Sequence, residues 1–305
     1  MPPQMPGMRA PITAHTILTA WQESPFAFAV AASLILAAVL YVVGMRRLAR
    51  RGRGWSMWRA VSFMAGLLSV ELALGSSVSV LSGETFTAHI AQHLLLMVVG
   101  PPLLALGAPM TLLLQTSNRP VKTAALKVLH SWPFAVVSHP ITVFFLYYMS
   151  MFAFFLTGAL GYAMEHMWLM DLINVGFFAG ATLFWWPMIG LDPIPRWELS
   201  PGLKLINLLI GVPFESFLGI ALLMKSTAVA SMYTVGTTHA GGGLLWAATE
   251  IATVAAIIPI FMQWTRADAR LARRIDARLD AGEDIQPAPM EGHGLAATMR
   301  VLRRG

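Results

Sequence analysis

The residues of this chain able to do more than pack are its histidines, its methionines and a few isolated carboxylates. His89 and His93 stand four apart, the spacing that stacks two side chains on one face of a helix, and Met97 continues that stripe one turn on. His166 is flanked by Met164, Glu165 and Met167, with Met170 and Asp171 about a turn further along. His239 precedes the run Gly241-Gly242-Gly243, and Met232 lies shortly before it. Imidazole with thioether is a ligand set for a soft or borderline ion; zinc suits the histidines, but thioether is a poor zinc ligand and a good one for Cu(I), so copper is favoured. Cysteine is absent, which excludes disulfides, thiolate zinc sites and CxxC redox chemistry and leaves His, Met, Asp and Glu as the available metal ligands.

The elements that must position these groups are membrane spans. Of 305 residues, 56% are apolar and 12% charged, too little polar surface to cover a water-soluble fold. A spanning helix needs about 20 mostly apolar residues at about 1.5 Å rise each. Seven stretches qualify: Phe26 to Met45, Trp58 to Val80, Phe86 to Gln115, Ile141 to Leu160, Glu165 to Leu191, Leu205 to Met224 and Gly242 to Trp264. Pro101-Pro102 should kink or break the third. The expected fold is therefore an all-α polytopic membrane bundle of about seven helices. It comprises an extracytoplasmic tail over residues 1–25, a membrane domain over 26–264 and a basic cytoplasmic tail over 265–305. Prolines 2, 3, 6 and 11 and Glu23 precede the first apolar run, and no small-residue cleavage site follows it, so no removable signal is expected.

Orientation follows from the basic residues, which concentrate in cytoplasmic loops. Arg46, Arg47, Arg50, Arg51, Arg53 and Arg59 fall in the first loop; Arg119, Lys122, Lys127, Arg196, Lys204 and the arginines after Trp264 share its side under strict alternation. Of 21 lysines and arginines only Arg9 and Lys225 fall opposite, which supports seven spans with the N-terminus outside and the C-terminus in the cytoplasm. The net charge of +6 is then a topogenic signal with attraction to anionic lipids of the bilayer, and nucleic acid is not an expected partner. Arg266 to Asp284 reads as a mixed-charge helical continuation of the last span, with a disordered remainder from Gln286.

On this topology His15, His89, His93, His166 and His239 lie at or near the outer face, and His130, His139 and His293 at the inner one. Three helices thus bring imidazoles to one depth, with thioethers beside them. The bland alternative is that outer-face histidines bond to water or lipid headgroups and that methionines merely pack. Glu71, Asp171, Glu215 and Glu250 lie within spans, where a carboxylate usually faces the bundle interior. They are candidates, with Glu165, for supporting a metal from its second shell, for handling protons, or for helix–helix adhesion.

The run Thr87-Ala88-His89-Ile90-Ala91-Gln92-His93-Leu94-Leu95-Leu96-Met97, then Gly100-Pro101-Pro102-Leu103-Leu104 and Leu106-Gly107-Ala108-Pro109, resembles the signature segment of the CtaG family of caa3-type cytochrome c oxidase assembly factors. His139-Pro140, Trp185-Trp186-Pro187, Gly190-Leu191-Asp192-Pro193 and the glycine run before Leu244-Leu245-Trp246 agree with it, so the resemblance covers roughly residues 20 to 265. It implies a multi-pass protein of the bacterial plasma membrane that helps mature a haem–copper oxidase through copper handling. It also implies that His89, His93 and His166 belong to the functional site. Thr237-Thr238-His239 departs from the family pattern before the glycine run, which leaves His239 the weakest transfer.

The leading expectation is a non-enzymatic assembly factor: copper as Cu(I) is held by His89, His93, His166 and His239 with Met97, Met167 and Met170, then passed by ligand exchange to the oxidase subunits. A periplasmic copper chaperone is a possible donor. A haem b electron carrier and a copper or proton transporter are the alternatives. No nucleophile motif, phosphate loop or paired soluble-side carboxylate points to a hydrolase or transferase.

Overall fold

A computed structural model describes residues 20–193 and 197–280 of the chain, so Met5, Met8, His15 and His293 lie outside the described residues. Every regular element among the described residues is helical, with no strand. In chain order the helices are α1 (Pro25–Arg50), α2 (Met57–Leu74), α3 (Ser77–Ser82) and α4 (Phe86–His93), then a π-helical turn (Leu94–Val99) leading into α5 (Gly100–Leu106) and α6 (Pro109–Thr116). There follow α7 (Arg119–Leu129), α8 (Trp132–Val137), α9 (Pro140–Leu156), α10 (Ala159–Glu165), α11 (Met167–Ile189), α12 (Pro201–Leu223) and α13 (Val235–Asp280). Six single helical runs are long and apolar enough to cross a membrane. The pair α9 and α10, bent by 78°, makes a seventh if it counts as one span. The chain is a multi-pass membrane protein.

Local sequence explains where these helices begin. Ser24, Asn118, Ser131, His139 and Ser200 each accept a hydrogen bond from a first-turn backbone N–H, and each is followed within two residues by proline. A polar N-cap satisfies an N–H that the helix cannot, and proline fits a first-turn position that needs no N–H. His139 caps α9 through Nδ1, 3.3 Å from the Ile141 nitrogen.

The third span is the least regular. Pro101 and Pro102 fall in the first turn of α5, directly after the π-turn, where a widened backbone accommodates their missing N–H groups. Its carbonyls are claimed by neighbours: Ser69 Oγ donates to the Leu95 oxygen at 2.8 Å and Trp185 Nε1 to the Met97 oxygen at 3.0 Å. A sharper break lies at Ala108, whose φ of 49° is left-handed, and Tyr41 Oη covers the preceding Gly107 oxygen at 2.7 Å. Polar side chains thus supply the partners that lipid cannot.

Several expected boundaries move, and two of the shifts bear on the site. The second span ends at Leu74, with α3 a separate short helix. The last helix begins at Val235, not Gly242, because Thr234 and Thr237 exchange side-chain and backbone hydrogen bonds at its start. His239 is therefore helical, and the glycines sit inside the helix, where it crosses α12 and α4. An added Cβ at Gly242 would stand 2.8 Å from the Leu223 nitrogen, and one at Gly241 2.6 Å from Phe86 Cδ1. Small residues permit such close approach between helices in lipid. The helix runs on to Asp280, through most of the expected continuation.

Candidate metal centre

His89 and His93 are brought together by one helix. Thr85 caps α4 and starts its register, and the four-residue spacing leaves the two Nε2 atoms 3.0 Å apart. Both imidazoles are 1% exposed. Around them stand aromatic rings: Phe154, Phe155 and Phe177 present edges to His93 at centroid distances of 5.9, 5.4 and 5.0 Å, and Phe86 stacks on His89 at 6.1 Å. The packing that forces Phe86 over His89 includes Gly241.

The protons of this pair follow from the neighbours. Tyr233 Oη donates to the Ser82 oxygen at 2.6 Å, so towards His89 Nδ1, 3.3 Å away, its oxygen is left as acceptor. With one proton on each ring, His89 then carries it on Nδ1 and accepts at Nε2, and His93 must donate from Nε2. That leaves His93 Nδ1 with a lone pair, and it is buried without a partner. Tyr233 lies in the connection between α12 and α13, and burial pushes its hydroxyl pKa up, which keeps it a neutral donor. The same hydroxyl lies 3.2 Å from Met164 Sδ, so Tyr233 links this thioether to the Nδ1 side of His89.

The other expected ligands are placed differently. His166 lies at the junction of α10 and α11, with Nδ1 2.9 Å from the Tyr162 oxygen and its ring 4.4 Å from that of Tyr162. His239 Nε2 is 2.9 Å from the Lys225 oxygen. Each of these two is engaged by a backbone carbonyl, and among the described residues no three His, Asp or Glu side chains gather as a metal-holding group. The expected convergence of three helices is thus replaced by one pair on α4. Met97 is buried one turn beyond His93, Met170 packs at the core edge, and Met167 is 66% exposed. Glu165 is exposed and Asp171 half-buried.

The remaining carboxylates sit deeper. Thr253 Oγ1 donates to Glu215 at 3.4 Å, and Ser216 Oγ donates to Glu250, so α12 and α13 exchange one such bond in each direction. Glu71 lies against Gly75 with Oε2 buried and unpartnered. A cavity of about 30 Å³, room for about one water, is lined by His93, Met97, Met151, Glu215 and Thr249 among others.

The donor set fits a soft ion with a small adjustment. Two nitrogens on one tetrahedral ion at about 2.0 Å each stand about 3.3 Å apart, slightly wider than the observed pair. Opening that gap would require the shared proton to move to the unpartnered Nδ1 of His93, leaving both Nε2 lone pairs for the ion. Sequence spacing finds the histidine pair, but Tyr233, Phe154, Phe155 and Phe177 reach it from distant segments.

Comparison with known proteins agrees with the motif reading. A family model described as cytochrome c oxidase caa3 assembly factor (Caa3_CtaG) matches residues 39–267. Uncharacterized proteins of Mycobacterium bovis and Mycobacterium tuberculosis are each 32% identical over 313 aligned residues, covering 96% of this chain and 46% of theirs. One of Mycobacterium leprae is 30% identical, covering 86% of this chain and 42% of its own length. The chain spans about half the length of the curated relatives it matches. No solved structure matches.

Proposed function

The chain belongs to the cytochrome c oxidase caa3 assembly-factor family, and from that premise we propose that it carries Cu(I) to a haem–copper oxidase in the bacterial plasma membrane, as a non-enzymatic factor. The observation that carries this reading is the His89–His93 pair: two buried Nε2 atoms 3.0 Å apart, with the Met164 thioether held nearby through Tyr233. Such a set suits a soft cation. In this reading Cu(I) is cargo, held by His89 and His93 with Met164 or Met97.

The pair lies near the start of the third span, and the arginine-rich end of α1 lies beside that span's other end, at Gln115 and Thr116. By the charge rule the pair then faces the extracytoplasmic side. Cu(I) arrives there, from a periplasmic chaperone or from solution, and leaves by ligand exchange with an oxidase subunit. Because both imidazoles are buried, exchange requires the Tyr233 connection to move aside, breaking its bond to the Ser82 oxygen. His166 and His239, engaged elsewhere, fall outside the proposed ligand set.

Axial haem ligation needs nitrogens on opposite sides of an iron, whereas this pair shares one helix face, so the geometry favours cargo ion over haem. Complementation tests the function: in cells lacking this protein, the wild-type chain restores oxidase activity and oxidase-bound copper, and a His89→Gln, His93→Gln chain present at equal level does not. Full restoration by that variant would overturn the reading.

A further inference from the structure

The opposite face of the molecule holds a second arrangement, independent of the copper reading. The last turn of α1 and the α6–α7 connection form a cleft of about 560 Å³ lined by Arg47, Arg50, Arg51, Thr116, Ser117 and Asn118, together with Val121. No carboxylate lines it. Its two walls are tied by Arg51, which donates to the Gln115 oxygen at 2.8 Å and the Thr116 oxygen at 3.5 Å. That tie spends part of one guanidinium and leaves Arg47 and Arg50 with no hydrogen bond or ion pair among the described residues. Thr116 Oγ1 is already committed to the Leu112 oxygen and Asn118 Oδ1 to the Val121 nitrogen, so what remains towards the cleft is a set of donors: guanidinium N–H groups, the Ser117 hydroxyl and the Asn118 amide.

A pocket of donors with fixed positive charge and no internal anion takes an oxyanion, and guanidinium geometry suits phosphate. The surroundings indicate the source. The cleft lies where two spans end, and beyond it α7 and α8 carry exposed apolar residues, Leu126, Val128, Trp132 and Val136, beside Lys122 and Lys127. Short helices of that composition lie in the plane of the bilayer interface. A phosphate held at that depth has acyl chains within reach of the apolar side chains. We propose that this cleft is a binding site for the phosphate of an anionic phospholipid headgroup, gripped by Arg47 and Arg50 while Arg51 keeps the walls together.

Native mass spectrometry of the full chain in neutral detergent, titrated with phosphatidylglycerol or with phosphatidylcholine, tests this. Phosphatidylglycerol should saturate one tight site that phosphatidylcholine does not fill. Arg47→Gln with Arg50→Gln should weaken that binding roughly thirtyfold, the effect of removing two basic groups near an anionic headgroup. Arg46→Gln with Arg53→Gln, exposed arginines outside the cleft, removes equal charge and should change it less than about threefold. Equal losses in the two variants, or equal binding of the two lipids, would overturn the site. Inorganic phosphate competing at the same concentration as the lipid would overturn the assignment to a lipid.

Discussion

The Nε2 atoms of His89 and His93 stand within hydrogen-bond distance of each other, and the Nδ1 of His89 faces the hydroxyl of Tyr233. One proton can lie between the two rings but not two, so the pair is asymmetric, and Tyr233 decides which nitrogen is the donor. For a cation to take its place, that proton would have to move to the unpartnered Nδ1 of His93.

Tyr233→Phe removes the group that fixes the His89 tautomer and leaves the ring in place. Outer partners of metal-ligating histidines typically contribute about 10–100-fold in affinity. The variant should therefore bind Cu(I) more weakly by about that factor with little change in thermal unfolding, measured by chelator competition and by melting in detergent. Unchanged affinity would separate Tyr233 from the site.

At Gly242, α12 and α13 approach closely, with the Gly219 oxygen 2.9 Å from where a Cβ would lie. Gly242→Ala should destabilise the protein by about 1–3 kcal/mol, the usual cost of overpacking. Gly176→Ala, with nothing within 4 Å, should be neutral or slightly stabilising. Comparable melting of the two variants would contradict this crossing.

The Glu215–Thr253 and Ser216–Glu250 bonds act between helices. Ser216→Ala with Thr253→Val should lower the melting temperature, while Cu(I) affinity stays within about twofold, as for separate sites. A large loss of affinity without destabilisation would move these carboxylates into the copper path.

Asp192 tethers the loop after α11 to the start of α6, accepting from the Thr111 nitrogen at 2.7 Å, the Thr111 hydroxyl at 2.6 Å and the Met110 nitrogen at 3.1 Å. Burial pushes its carboxyl up from the ordinary range, against the opposing pull of these bonds and of Arg59. A raised folded value means that the folded chain binds the proton more tightly than the unfolded one. Its contribution to stability is then full below the ordinary carboxylate range and declines as pH rises through the raised value. Melting curves across the acidic range should show that decline in the wild type and not in Asp192→Asn; identical pH slopes would contradict it.

Much of the bundle was legible because its signals are local. The apolar runs give the spans, although the sixth helix starts at Pro201, ahead of the expected Leu205, because Ser200 caps it there. The Gly241–Gly243 run was read as the entrance to the last helix, whereas tertiary packing against α12 and Phe86 places it inside. At the site, the spacing of His89 and His93 survives folding because one helix turn fixes it. Strict alternation of the spans puts His166 and His239 at one expected depth, yet depth does not fix azimuth, and each ring turns to a nearby carbonyl. Tyr233 and Met164 come to the pair across 144 and 69 residues of separation from their partners, which no periodicity encodes.

Whether the His89–His93 pair holds the ion is decided by Cu(I) titration of the purified protein against a competing chelator. We expect one tightly held Cu(I) per chain and a loss of more than about 100-fold in the His89→Gln, His93→Gln variant, beyond the effect of outer partners alone. Affinity equal to the wild type in that variant would contradict it.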